Sequence, residues 1–189
     1  DCPYCSGHKV GDTNNLKARY PIVAKQWHPS KNGILLPTKI SPHSNKHVWW
    51  KCDSQSDHVW QATVGSKTSN GDKVGCPFCQ GLKVAKSNCL STTHPNIARQ
   101  RHPKKNATLK SSDVTGGSAK KVWWQCEKVD SHSWHMPVSA RTSQNQGCPY
   151  CANRRVSESN SLATKFPNVA NLLNTEKSKF TADEVISTS

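Results

Sequence analysis

The chain has 189 residues, only 33% of them hydrophobic, and a mean hydropathy of −0.75, too little apolar material for one large continuous core. Lys and Arg number 26 against 12 Asp and Glu, and the formal charge of +14 points to a polyanionic partner, nucleic acid ahead of an acidic membrane surface. No apolar run is long enough to cross a membrane and no basic-apolar signal peptide opens the sequence, so the chain reads as intracellular and without a membrane partner.

The first element is a metal knuckle. Cys2 and Cys5 sit in the frame C-P-Y-C, which returns at Cys76 and Cys79 and at Cys148 and Cys151. A C-x-x-C turn presents two thiolates from one tight loop and suits a tetrahedral zinc. A disulfide inside the same turn would close a tiny loop and stabilise little. The frames lie 74 and then 72 residues apart, and the rest of the chain follows that period, so the chain is a tandem repeat.

A helical stretch comes next. Leu16, Tyr20, Val23 and Trp27 step along one helix face; Leu162, Phe166, Val169 and Leu173 repeat the spacing, and Leu90, His94, Ile97 and Arg101 repeat it less well. Pro21, Pro95 and Pro167 predict a short turn followed by a helix starting near the proline, with Asn14, Asn88 and Asn160 as N-terminal caps.

A hairpin follows. "VWWKC" and "HVWQATV" put Val48, Trp50, Trp60, Ala62 and Val64 in period-2 register around a short polar loop, and Val122, Trp124, Trp134, Met136 and Val138 match them in the second copy. Cys52 and His58 stand at the ends of the loop, as do Cys126 and His132. Among the nine histidines, His58 and His132 keep one slot, six residues after a cysteine; Cys89 stands where the other copies have Asn15 and Ser161 and reads as no ligand. Neighbours in a strand face opposite sides, so Trp49 and Trp123 are expected to face outward.

Two ligand pairings are open: each Cys-His pair closes with the C-x-x-C after it or with the one before. The loop from His58 to Cys76 is 18 residues and that from His132 to Cys148 is 16, against 47 from Cys5 to Cys52. The shorter loops cost less entropy to close, and the second strand runs back toward the following C-P-x-C. The expected sites are therefore Cys52, His58, Cys76, Cys79 and Cys126, His132, Cys148, Cys151, each with one Zn²⁺. Cys2 and Cys5 are then half of a further site. The modules so defined are 8–79 and 80–151, with the end of an upstream module at 1–7 and the helical part of a third at 152–189. The fold class is tandem, small, zinc-stapled α+β modules, each a short helical segment plus a β-hairpin.

P-x-[VI]-A-x-x-W-H-P-x-x-N from Pro21 to Asn32, W-W-x-C from Trp49, H-x-W from His58, a basic residue at Lys67 or Arg141, and G-C-P-x-C from Gly75 and Gly147 recur nearly throughout the chain. Together they resemble the zinc-ribbon repeat, also described as a treble-clef zinc finger, of bacteria, phages and plants. The resemblance implies the same downstream pairing and tandem arrays, sometimes beside nuclease domains, that bind nucleic acid. Arg101, in place of the tryptophan, and Leu173 and Asn174, in place of Trp-His, depart from the pattern and imply different packing there.

The functional expectation is non-catalytic nucleic-acid binding, with DNA and RNA undecided. Candidate contacts are Lys51, Lys67, Lys104, Lys105, Lys120, Lys121, Arg141, Arg154 and Arg155 for phosphates, and Trp49 and Trp123 for bases. Lys67 and Arg141 lead because they share one slot, which the hairpin places outside the expected core. The alternatives are a protein scaffold within a large assembly such as a ribonucleoprotein, or the targeting region of a nuclease whose catalytic domain lies elsewhere. Within the chain itself, four ligands per zinc and scattered acids argue against an enzyme.

Overall fold

The computed structural model describes residues 3–4, 9–72, 75–174 and 176–187. The chain divides into two compact units, Asp1–Asn88 and Cys89–Ser189.

In the first unit the helical stretch forms as two short helices, α1 (Leu16–Arg19) and α2 (Pro21–Lys25). Tyr20 breaks them with φ −138° and ψ 69°. A proline pushes the residue before it out of the helical region, and Pro21 then opens α2 at its first position, where its missing N–H costs nothing. The break recurs at His94, between α4 (Leu90–Thr93) and α5 (Pro95–Arg99), and at Phe166, between α7 (Leu162–Lys165) and α8 (Pro167–Ala170). The caps differ from expectation by one residue. Asn15 accepts from the Ala18 amide, and Ser161 accepts from the Thr164 amide. Cys89 occupies the same cap position, its Sγ meeting Ser91 Oγ at 3.1 Å and Thr92 Oγ1 at 3.3 Å, which gives this buried cysteine a place at a helix start rather than in a metal cluster.

β1 (His47–Lys51) pairs antiparallel with β2 (Val59–Thr63), with Trp50 opposite Trp60. Val48, Trp50 and Trp60 turn inward and are buried, and Trp49 turns outward. The chain after α2 lies along the other edge of β1: the Lys51 amide donates to the Gln26 carbonyl at 2.7 Å, and the His28 amide to that of Trp49 at 3.0 Å. Trp27 thereby meets Trp50 edge to face at 5.6 Å. α3 (Val64–Thr68) starts as β2 ends, capped by Thr63, and β3 (Ser69–Asp72) follows. Leu16, Val23, Ile40, Val48, Trp50, Trp60, Val64 and Phe78 fill a core that continues into Cys52 and Cys76.

The second unit repeats this plan with β4 (Lys121–Gln125), β5 (Ser133–Pro137) and α6 (Val138–Thr142), and Trp124 stands opposite Trp134. Arg101 replaces Trp27 without changing the path. It bridges Trp124, the Gln125 amide still reaches Gln100 at 2.7 Å, and its guanidinium donates to the Leu109 carbonyl. In the third copy, Phe166 and Val169, whose counterparts Tyr20 and Val23 pack into a core, are about half exposed. Among the described residues, no helix is long and apolar enough to cross a membrane.

Candidate metal centre

Cys52 leaves β1 and His58 enters β2, and the Cys52 amide donates to the His58 carbonyl at 3.0 Å, closing the loop between them. Cys76 and Cys79 come from the following turn, where Gly81 takes a φ of +74° and Asn153 takes +50° in the matching slot. Glycine and asparagine are the residues that visit this left-handed region most readily.

The four ligand atoms of Cys52, His58, Cys76 and Cys79 lie within 4.8 Å of one another, as do those of Cys126, His132, Cys148 and Cys151. Cys52 Sγ is 3.6 Å from Cys79 Sγ, and His58 Nδ1 is 3.5 Å from the sulfurs of both Cys76 and Cys79. The second cluster gives the same values, 3.6 Å between Cys126 and Cys151 and 3.5 Å from His132 Nδ1 to Cys148 and Cys151. A tetrahedral zinc with ordinary bond lengths separates its ligand sulfurs by about 3.8 Å and sulfur from nitrogen by about 3.5 Å. A disulfide would bring the sulfurs to about 2.05 Å. Both clusters therefore fit zinc and are not disulfides. The family described as "Probable Treble clef zinc finger domain" matches residues 23–82 and again residues 97–154.

The chain belongs to this family. No curated protein matches it. Its two treble-clef sites use the downstream pairing, while Cys2 and Cys5 lie outside the described residues. Without metal, the crowded sulfurs cannot all ionise. Burial and the neighbouring cysteines push Cys79 and Cys151 up to about 12. Burial also pushes Cys52 up, but the Ser54 amide, His58 and Cys79 outweigh it and bring the thiol down to about 7. Bound zinc would hold all three sulfurs of each site as thiolates and staple the hairpin tip to the knuckle.

Serines missed in the sequence support each imidazole. Nδ1 faces the sulfurs, and Nε2 meets Ser87 Oγ at 2.8 Å in the first site. In the second, Nε2 of His132 meets Ser159 Oγ at 2.7 Å and Ser157 Oγ at 3.1 Å. The ring rests on an aromatic neighbour, His58 on Phe78 and His132 on Tyr150, each at 4.9 Å. Asn88 clamps this segment: its amide donates to the Phe78 and Lys83 carbonyls at 2.7 and 2.9 Å and its oxygen accepts from the Ala85 amide at 2.7 Å. Asn160 does the same to Tyr150, Arg155 and Ser157, and Asn14 to Tyr4, Lys9 and Gly11. The three asparagines expected as helix caps therefore fasten the preceding knuckle instead. The recurrence of Ser-Asn at Ser87 and Ser159 was the available signal.

Lys67 and Arg141 require the largest correction. Both are buried rather than on an outer face. Lys67 Nζ donates to Gln26 Oε1 at 2.9 Å and lies 5.7 and 5.4 Å from the ring centres of Trp50 and Trp60. Arg141 donates to Gln100 Oε1 and the Gln146 carbonyl, between Trp124 and Trp134. Neither is positioned to meet a phosphate. The other basic candidates lie at the surface: Lys104, Lys105, Lys120, Lys121, Arg154 and Arg155 are exposed and Lys51 is half-buried. Trp49 and Trp123 are half-buried on the outer hairpin faces, with Lys31 Nζ at 4.4 Å over one ring and Lys105 Nζ at 4.9 Å over the other.

Proposed function

We propose that the chain is a non-catalytic tandem treble-clef array that binds nucleic acid through the outer faces of its hairpins. The observation that carries this reading is a loop built around an outward indole in both copies. His28 Nδ1 accepts the amides of Ser30 and Lys31 at 3.3 Å and folds the loop back. Asn32 then accepts the Trp49 amide at 2.7 Å and donates to its carbonyl at 2.9 Å, pairing that residue as a strand would. His102 and Asn106 repeat both actions around Trp123. The motif residues hold an indole and a lysine where neither adds to the core.

Charge on that face supports the reading. β1, β2, β4, β5 and the loops at 28–32 and 102–106 contain no acidic residue. Lys51 and His47 flank Trp49 on β1, and Lys121 and His135 accompany Trp123, whose ring stacks on His135 at 5.2 Å. Cations that neutralise phosphates release counterions, and an aromatic face accepts a base. The non-catalytic reading rests on four protein ligands per cluster, whereas a catalytic zinc keeps an open position. Titrating labelled DNA and RNA, single-stranded and duplex, over a range of salt tests the proposal. Log affinity should fall linearly with log salt, and Lys105→Gln or Lys121→Gln should reduce the slope by about 0.7 to 0.9 for each phosphate no longer neutralised. Affinity for acidic proteins with none for nucleic acid would overturn it.

A further inference from the structure

We propose that Lys67 and Arg141 are the fixed counter-charges of the two zinc sites and set metal affinity through their charge. A zinc held by three thiolates and one imidazole carries a net charge of about −1. Each cluster has a cation buried next to it, Lys67 at 2% and Arg141 at 7% exposure. The chain fixes the location: α3 and α6 start directly after the second strand and carry the cation beneath the paired tryptophans.

Both cations lie close to the ligand segments. Lys67 Nζ donates to the Gly75 carbonyl at 3.3 Å, one residue before Cys76. Arg141 shares a cavity of about 270 Å³ with Cys126, Cys148 and Cys151. The glutamine and carbonyl acceptors are neutral dipoles, so they orient each cation without cancelling its charge. Burial lowers the pKa of both cations, and Cys76, Cys52 and Asp53 beside Lys67, like Cys148, Glu127 and Cys126 beside Arg141, act in the opposite direction.

The two copies serve as a natural control. One uses a compact ammonium and the other a planar guanidinium, which differ in shape, volume and hydrogen-bond geometry and share a positive charge at the end of an apolar stem. The acceptor stays a glutamine, Gln26 or Gln100, in both. A buried cation and a partly buried anionic site are each costly alone; side by side each offsets part of the other's cost.

The test uses the full chain with Lys67→Met and Arg141→Met, which keep an apolar stem and lose the charge, and the swaps Lys67→Arg and Arg141→Lys. Zinc affinity is read by competition with a chromophoric chelator, the unmodified site serving as reference. The methionine variants should bind one of their two zinc ions about 10- to 100-fold more weakly, the range for groups that support a metal from outside its ligand set. The swaps should stay close to the parent. Should a methionine variant fail to fold at saturating zinc, Lys67→Gln and Arg141→Gln give the same readout. Parent-like affinity in the neutral variants, or equal losses in swaps and neutral variants, would overturn the proposal in favour of packing.

Discussion

His58 turns Nδ1 toward the sulfurs and Nε2 toward Ser87 Oγ at 2.8 Å, so with zinc on Nδ1 the ring proton would sit on Nε2 and be donated to Ser87. Such outer partners fix the tautomer and orientation of a metal-bound imidazole. The second site has two hydroxyls at that position, from Ser157 and Ser159. Ser87→Ala should therefore weaken zinc binding in its unit by about tenfold or more, and Ser159→Ala should cost less because Ser157 remains. Chelator competition on the two variants compares them, and equal losses would contradict the sharing. A second expectation concerns protons. Cys79 and Cys151 are held up at about 12 and enter zinc binding protonated at neutral pH. Each site should then release at least one proton on loading, seen as a dependence of the calorimetric heat on the ionisation enthalpy of the buffer.

At the level of elements, each hairpin separates two uses of tryptophan. Trp50 is fully buried, its indole N–H donating to the Ala62 carbonyl at 3.1 Å, whereas its neighbour Trp49 faces outward. Trp50→Ala or Trp124→Ala should cost about 3–5 kcal/mol in denaturant unfolding of the zinc-loaded protein. Trp49→Ala and Trp123→Ala should cost far less and keep the metal. This division was legible in the sequence because period-2 alternation assigns each residue a face. The break at Tyr20 was half legible, since Pro21 marks it but a four-three-four apolar pattern reads as one helix. The position of Lys67 was not legible. A basic residue that recurs in one slot fits a phosphate contact as well as a buried counter-charge, and only the turn of α3 under Trp50 and Trp60 distinguishes them. His28 shows the same ambiguity resolved differently: its third-copy counterpart Asn174 accepts the Glu176 and Lys177 amides, so the slot is for loop capping and not for metal.

At the scale of the molecule, the described residues form two small cores, each continuous with its own metal cluster. The first cluster and its serine support lie inside the unit Asp1–Asn88, and the second lies with Ser157 and Ser159 inside Cys89–Ser189. Zinc binding in such modules is folding free energy, and in a repeat array that energy acts mainly on its own unit. Cys52→Ser leaves the first site three ligands, while all four ligands of the second remain. The variant should therefore retain about half of the parent's zinc, with protease cleavage confined to the first unit and the second cut no faster than in the parent. His132→Ala should reverse the pattern, opening the second unit and sparing the first. Treating the parent with graded chelator should give two separable losses of protection rather than one. A single transition that takes both units together, or cleavage of both units in either variant, would mean that the repeats fold as one cooperative body.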